Sequence, residues 1–96
     1  MLENIKLSMR IFHNAIDASI KSDIAACMKD LLRVGVHANI AVDSSQDPLI
    51  CKAAELYCKW QNDFNGKGEQ HKKAYESLRD AISLCEAYTE GEKSNV

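Results

Sequence analysis

The feature that most constrains the fold is an apolar stripe of helical period in the first half of the chain. Ile16, Ile20, Ile24, Cys27 and Leu31 follow one another at steps of four, four, three and four residues. These steps keep all five side chains on one face of a helix with 3.6 residues per turn. An amphipathic helix that packs against other elements is therefore predicted here.

The ends of this first helix are marked by residue type. Asn14 and Asp17 are the candidates to cap its start, because short polar side chains accept hydrogen bonds from the free amides of a first turn. Arg33 stands in the last turn, and Gly35 follows where a left-handed residue closes many helices. We predict a helix over residues 15–33.

A second helix is predicted to begin sharply at Pro48. Asp47 can accept from the first-turn amides, and a proline at the first helical position has no N–H to leave unpaired. The apolar residues that follow cover much of the circumference, which is typical of a central helix. Between the two helices, residues 36–46 predict a loop that tucks Val36 or Ile40 against the core, with a short strand at 40–42 as the alternative.

A third helix is predicted after the turn-forming residues 62–68. Its apolar face is formed by Ala74, Tyr75, Leu78, Ile82 and Cys85. Near the N-terminus, Leu2, Ile5 and Met9 share one face of a possible short helix. The expected fold is all-α: a small bundle of three main helices plus this short one, forming a single domain over residues 1–88 with a flexible tail over 89–96.

Charge and hydropathy exclude two broad classes of function. The chain has twelve Lys and Arg and fourteen Asp and Glu. The resulting formal net charge of -2 gives no electrostatic attraction for tight DNA binding by the monomer. No apolar run approaches the roughly 20 residues that span a bilayer, and the N-terminus does not resemble a signal peptide. We expect no membrane partner, and synthesis and retention in the cytoplasm.

The cysteines and histidines form no recognisable site. Cys27, Cys51, Cys58 and Cys85 lack the CxxC step of zinc knuckles and redox dithiols, and core packing is their expected role. His13, His37 and His71 have no acid or cysteine at a catalytic or metal-binding spacing, and no phosphate, dinucleotide or hydrolase motif occurs. We expect no enzyme activity, no cofactor and no metal; a dispersed Cys–His site stays as an alternative that a fast-reacting thiol would reveal.

An aromatic cluster near the end of the second helix supplies the candidate interface residues. Tyr57, Trp60 and Phe64 stand three and four residues apart, which predicts one helical face. Core packing is the favoured role of the three rings. Trp60 and Phe64 are the candidates for a subunit interface, since polar residues surround Trp60.

Taken together, these segments resemble a known family. The likeness covers most of the chain: LENIKLSMRI at residues 2–11, the spacing of Asp17, Ile20, Ile24, Ala26, Asp30 and Leu31 before Gly35-Val36, the run Asp47-Pro48-Leu49-Ile50, then Ala53, Leu56-Tyr57-Cys58-Lys59 and Ala74-Tyr75-Glu76-Ser77-Leu78. In these segments the chain is similar to the small head-tail connector proteins of tailed bacteriophages and prophages, also called DNA-packaging or head completion proteins. Ala18, Ser19, Asp23 and Cys27 depart from the family's usual residues.

This resemblance implies a structural protein of the virion's head-tail junction, made in the bacterial host. Its copies would form a homo-oligomeric ring under the portal protein, meet a tail-completion protein, and let double-stranded DNA pass without reading its sequence. The alternative is a small helical DNA-binding or regulatory protein, which would need a recognition helix rich in Arg, Lys, Asn or Gln after a short turn. Salt-dependent DNA binding would favour that alternative.

Overall fold

A computed structural model describes residues 1–89 of the chain. The helices are α1 (Leu2–Ser8), α2 (Asp17–Arg33), α3 (Pro48–Gln61), α4 (Gly68–Ser83) and the short α5 (Glu86–Thr89), with a 3-10 turn at Phe64–Gly66. No residue from 1 to 89 lies in a strand, so the alternative of a strand at 40–42 is wrong. The all-α prediction is confirmed, including the short N-terminal helix.

The start of α2 differs from the prediction. The helix begins at Asp17 after Ile16, and neither Asn14 nor Asp17 caps it through a side chain. Both side chains are used by Lys6 instead: Lys6 Nζ lies 2.9 Å from Asn14 Oδ1 and 2.9 Å from Asp17 Oδ1. The predicted end is confirmed, because α2 stops at Arg33 and Gly35 takes a φ of 102°.

The predicted start of α3 is confirmed in detail. Asp47 Oδ1 accepts hydrogen bonds from the amides of Leu49 and Ile50 at 2.9 and 3.2 Å, and Pro48 is the first helical residue. The preceding loop does reach the core: Val36 is buried and Ile40 packs against the core with partial burial. This loop therefore takes part in the packing.

The turn between α3 and α4 is tight. Asp63, Asn65 and Gly66 all have positive φ, and Asp63 Oδ1 accepts from the amide of Gly68 at 2.8 Å. A side chain at position 68 would displace the Asp63 carboxylate from this bond, because a Cβ there would lie 2.6 Å from that same oxygen.

The buried face of α4 is narrower than predicted. Tyr75 and Ile82 are buried and Leu78 is partly buried, but Ala74 is exposed. Cys85 lies beyond the end of α4, where it is exposed to solvent. The prediction of an inward-facing Cys85 is wrong because the helix ends two residues before it. Thr89, the first residue of the predicted tail, closes α5, and residues 90–96 lie outside the described part of the chain.

Of the three long helices, α3 runs antiparallel to both α2 and α4. At one end of the bundle, which we call the turn end, Asn62 after α3 donates to Asp23 in the first half of α2. At the opposite end, the loop end, Tyr88 of α5 donates to Asp47 before α3. α1 packs on α2 and α3 and ends at the turn end, where Met9 and Phe64 border the same hollow.

One core joins all of these elements. Its buried apolar members are Ile5, Met9, Ile20, Ile24, Cys27, Met28, Leu31, Val36, Ala41, Ile50, Ala53, Ala54, Cys58, Tyr75 and Ile82.

Candidate functional site

The structure places the two predicted interface residues in different elements. Trp60 stands in the last turn of α3, partly buried, with its ring centroid 5.3 Å from that of Tyr57 and 6.1 Å from that of Tyr75. Phe64 is also partly buried but lies in the 3-10 turn, 6.2 Å from the ring of His71. The predicted single face of three rings is wrong, because α3 ends at Gln61 and the positive φ of Asp63 turns the chain away before Phe64.

Trp60 borders a surface groove between α2, α3 and α4. The groove has a volume of about 330 Å³. Its lining residues are Ala26, Lys29, Asp30, Arg33, Tyr57, Trp60 and Arg79. Aromatic and basic side chains therefore share one concave surface.

A carboxylate ties α2 to α4 at this groove. Asp30 Oδ1 accepts from Arg33 Nε and Nη2 at 3.0 and 2.7 Å, and Asp30 Oδ2 accepts from Tyr75 Oη at 2.7 Å and Arg79 Nη1 at 3.2 Å. Cys27 Sγ donates weakly to Tyr75 Oη at 3.9 Å. Both carboxylate oxygens of Asp30 are thus fully occupied by protein donors.

The ionisation of this cluster follows from its bonds. Burial acts to raise the pKa of Asp30, but hydrogen bonds from Tyr75, Arg33 and Arg79 outweigh it and hold the pKa below its usual value of 3.8. Burial, Cys27 and the bond to Asp30 raise the pKa of Tyr75. Asp30 is therefore charged and Tyr75 neutral at neutral pH.

The rim of the groove is basic. Lys29 is exposed, and the side chain of Arg33 is 65% exposed despite its bond to Asp30. Arg79 also bonds Asp80, and Lys72 Nζ lies 5.7 Å from the Trp60 ring centroid. Three cations line the groove against the single carboxylate of Asp30.

Large apolar side chains are exposed at both ends of the bundle. Leu7 and Phe12 are 61% and 79% exposed at the turn end. At the loop end, Leu32, Leu49 and Leu84 are 42%, 44% and 85% exposed near the termini of three helices. Exposure of this degree for Phe12 and Leu84 has no stabilising role in the isolated subunit.

The histidines and cysteines show no shared arrangement. Nδ1 of His13 accepts from the amide of Ala15, and His71 has a buried Nε2 without a hydrogen-bond partner. Burial raises the pKa of both Cys27 and Cys58 to about 12, so these two thiols are protonated at neutral pH. Among residues 1–89, no three His, Cys, Asp or Glu side chains are grouped so as to hold a metal ion.

Sequence reasoning found Tyr57 and Trp60 but missed the charged residues of the groove. Arg33 stands three residues after Asp30 on α2, a spacing that sequence can reveal. Tyr75 and Arg79 stand 45 and 49 residues from Asp30, and no sequence signal links them.

Comparison with known proteins identifies no relative. No family model, no curated protein and no solved structure matches this chain. Within the described part of the chain, none of the helices has the length and apolar character needed to cross a membrane.

Proposed function

We propose that this chain is a structural subunit of a tailed-phage or prophage head-tail connector, which assembles as a ring under the portal. The observation that carries the proposal is the exposure of large apolar side chains at both ends of one small helical bundle, most of all Phe12 and Leu84. Burial of such side chains between subunits is favourable by about 25 cal/mol for each Å² removed from water. The family likeness of the sequence adds the identity of the assembly.

The two exposed ends favour a head-to-tail contact. Phe12 precedes α2 at the turn end, whereas Leu84 follows α4 at the loop end. A contact between two different surfaces is heterologous, and it forms a ring when its repeated rotation closes and an open filament when it does not. A ring of this kind would continue the portal channel toward the tail-completion protein.

The charge of the subunit is compatible with DNA passing through such a channel. A net charge of -2 provides no general attraction for the phosphate backbone, so DNA would slide without being held. In this proposal the protein is made in the bacterial host cytoplasm and ends in the virion at the head-tail junction.

The first test is the mass of the purified protein over a wide concentration range, by light scattering, with negative-stain imaging of large species. We expect rings either from the protein alone or after addition of the portal protein encoded in the same genome. A protein that stays monomeric in both conditions would overturn the proposal.

The second test addresses the head-to-tail contact. Phe12→Glu and Leu84→Glu each place a charge at one end, so each variant alone should fail to form rings. Mixed together, they still offer one intact turn end and one intact loop end, and should form dimers but nothing larger. Ala25→Glu, which adds a charge at an exposed site on α2, should assemble like the unchanged protein. Rings formed by either single variant would contradict the assigned contact.

A further inference from the structure

The groove between α2, α3 and α4 does not include Phe12 or Leu84, the residues assigned to the end-to-end contact. It lies on the side of the bundle, where the second halves of α2 and α3 meet Arg79 of α4. We propose that this groove binds an acidic segment of a partner protein, with carboxylates on Lys29 and Arg33 and an apolar side chain against Tyr57 and Trp60. The inference stands whether or not the chain forms rings.

Charge complementarity supports an acidic occupant. Lys29, Arg33 and Arg79 line the groove, and its one carboxylate is already covered: Asp30 takes four hydrogen bonds, three from arginine nitrogens and one from Tyr75. The groove is thus a basic concavity in a chain whose net charge is negative.

The guanidinium groups are already oriented. Arg33 donates to Asp30 through Nε and Nη2, and Arg79 is held between Asp30 and Asp80. An arginine fixed in this way loses less side-chain entropy when it takes a further carboxylate. Clusters of arginine recognise acidic peptide motifs by the same chemistry.

The two aromatic rings of the groove favour a peptide over a nucleic-acid backbone as its ligand. Tyr57 and Trp60 meet edge to face with ring centroids 5.3 Å apart, and both line the groove, so an apolar side chain can be buried there. Duplex DNA carries one charge per about 1.7 Å of axis. It would meet the carboxylates of Asp23, whose charge acts on Tyr57, and of Asp80, which bonds Arg79. A short segment with few carboxylates avoids both repulsions.

The test begins with an array of short random peptides probed with the full-length protein. We expect the bound sequences to be enriched in Asp and Glu next to an apolar residue. The same peptides in solution should shift the fluorescence of Trp60 to shorter wavelength, because the indole loses water on binding. Trp60 is the single tryptophan of the chain, so the signal reports on the groove alone.

Matched variants separate the groove from general electrostatics. Lys29→Glu should weaken peptide binding at least about tenfold, since it places a like charge at the rim. Lys21→Glu makes the same change at another exposed lysine of α2 that lies outside the groove, and should leave affinity within about twofold. Equal losses in the two variants would overturn the proposal.

Two further outcomes would also overturn it. One is an array with no enrichment of acidic peptides. The other is duplex DNA that binds in a Lys29-dependent way while no peptide does, which would assign the groove to nucleic acid. Neither outcome bears on ring formation, which the light-scattering and mixing experiments measure separately.

Discussion

At the scale of single residues, the hydrogen bonds of Asp30 hold α2 and α4 together in the middle of the bundle. Its carboxylate joins α2 to α4 through Tyr75 and Arg79 while it also fixes Arg33 at the groove rim. Tyr75 is completely buried, so its hydroxyl would be costly to leave without an acceptor. The same carboxylate therefore serves stability and the shape of the groove.

Replacement of Asp30 should produce a pH-dependent loss of stability. The pKa of Asp30 is lowered in the folded protein, so its stabilisation is complete above the unfolded value of 3.8 and disappears as the pH falls through the folded value. We expect Asp30→Asn to lower the free energy of unfolding by about 1–2 kcal/mol at neutral pH. Urea titrations from neutral pH to about pH 3 should show this difference closing only in acid.

Asp23→Asn is the matched control, and its expected effect on stability has the opposite sign. Burial raises the pKa of Asp23, and the hydrogen bond from Asn62 only partly offsets this, so the charged form is unfavourable in the fold. Asp23→Asn should be more stable than the unchanged protein at neutral pH, and this advantage should vanish as the pH falls. A constant difference for Asp30→Asn across the whole pH range would contradict our account of the carboxylate.

At the scale of secondary-structure elements, Asp47 has two roles. It caps the start of α3 through the amides of Leu49 and Ile50, and it accepts from Tyr88 Oη at 2.9 and 2.8 Å through its two oxygens. Burial and the bond to Asp47 raise the pKa of Tyr88 to about 12, so the hydroxyl remains a donor at neutral pH. The residue that caps α3 therefore also anchors α5.

We expect the two roles of Asp47 to be separable by mutation. Asp47→Ala removes the cap and the anchor, and should lower the free energy of unfolding by about 1–2 kcal/mol. Tyr88→Phe removes the anchor alone and should cost less. In a double-mutant cycle measured by urea unfolding, Tyr88→Phe should have almost no effect when Asp47 is already Ala. Fully additive effects would show that Tyr88 and Asp47 are not coupled.

The elements were more predictable from sequence than their contacts. Asp47-Pro48 and Gly35 act on neighbouring backbone groups, so local rules placed those helix ends correctly. The start of α2 was misplaced because Lys6, distant in sequence, takes the side chains that would have capped it. The groove depends on Tyr75 and Arg79 meeting Asp30 across the bundle, which only the tertiary fold determines.

At the scale of the whole molecule, stability is unevenly distributed. α1 has only seven residues and lies at the edge of the bundle, where the buried Ile5 and Met9 and the polar contacts of Lys6 hold it. The side chain of Lys6 is 6% exposed. It donates a hydrogen bond to Asn14, which precedes α2, and forms an ion pair with Asp17, the first residue of α2. A short helix with so few anchors should open more often than α3, which packs against both α2 and α4.

Hydrogen exchange of the backbone amides should show this difference, with α1 exchanging faster than α3. Lys6→Met leaves the carboxylate of Asp17 without its partner in a largely buried site, which should increase exchange in α1 while α3 and α4 change little. Lys52→Met is the control, because Lys52 also bridges a carboxylate, that of Glu55 at 3.1 Å, but its side chain is 56% exposed. An exposed ion pair contributes about 0–1 kcal/mol, so exchange should hardly change in that variant. Uniform acceleration throughout the chain in Lys6→Met would show instead that α1 opens only when the whole bundle unfolds.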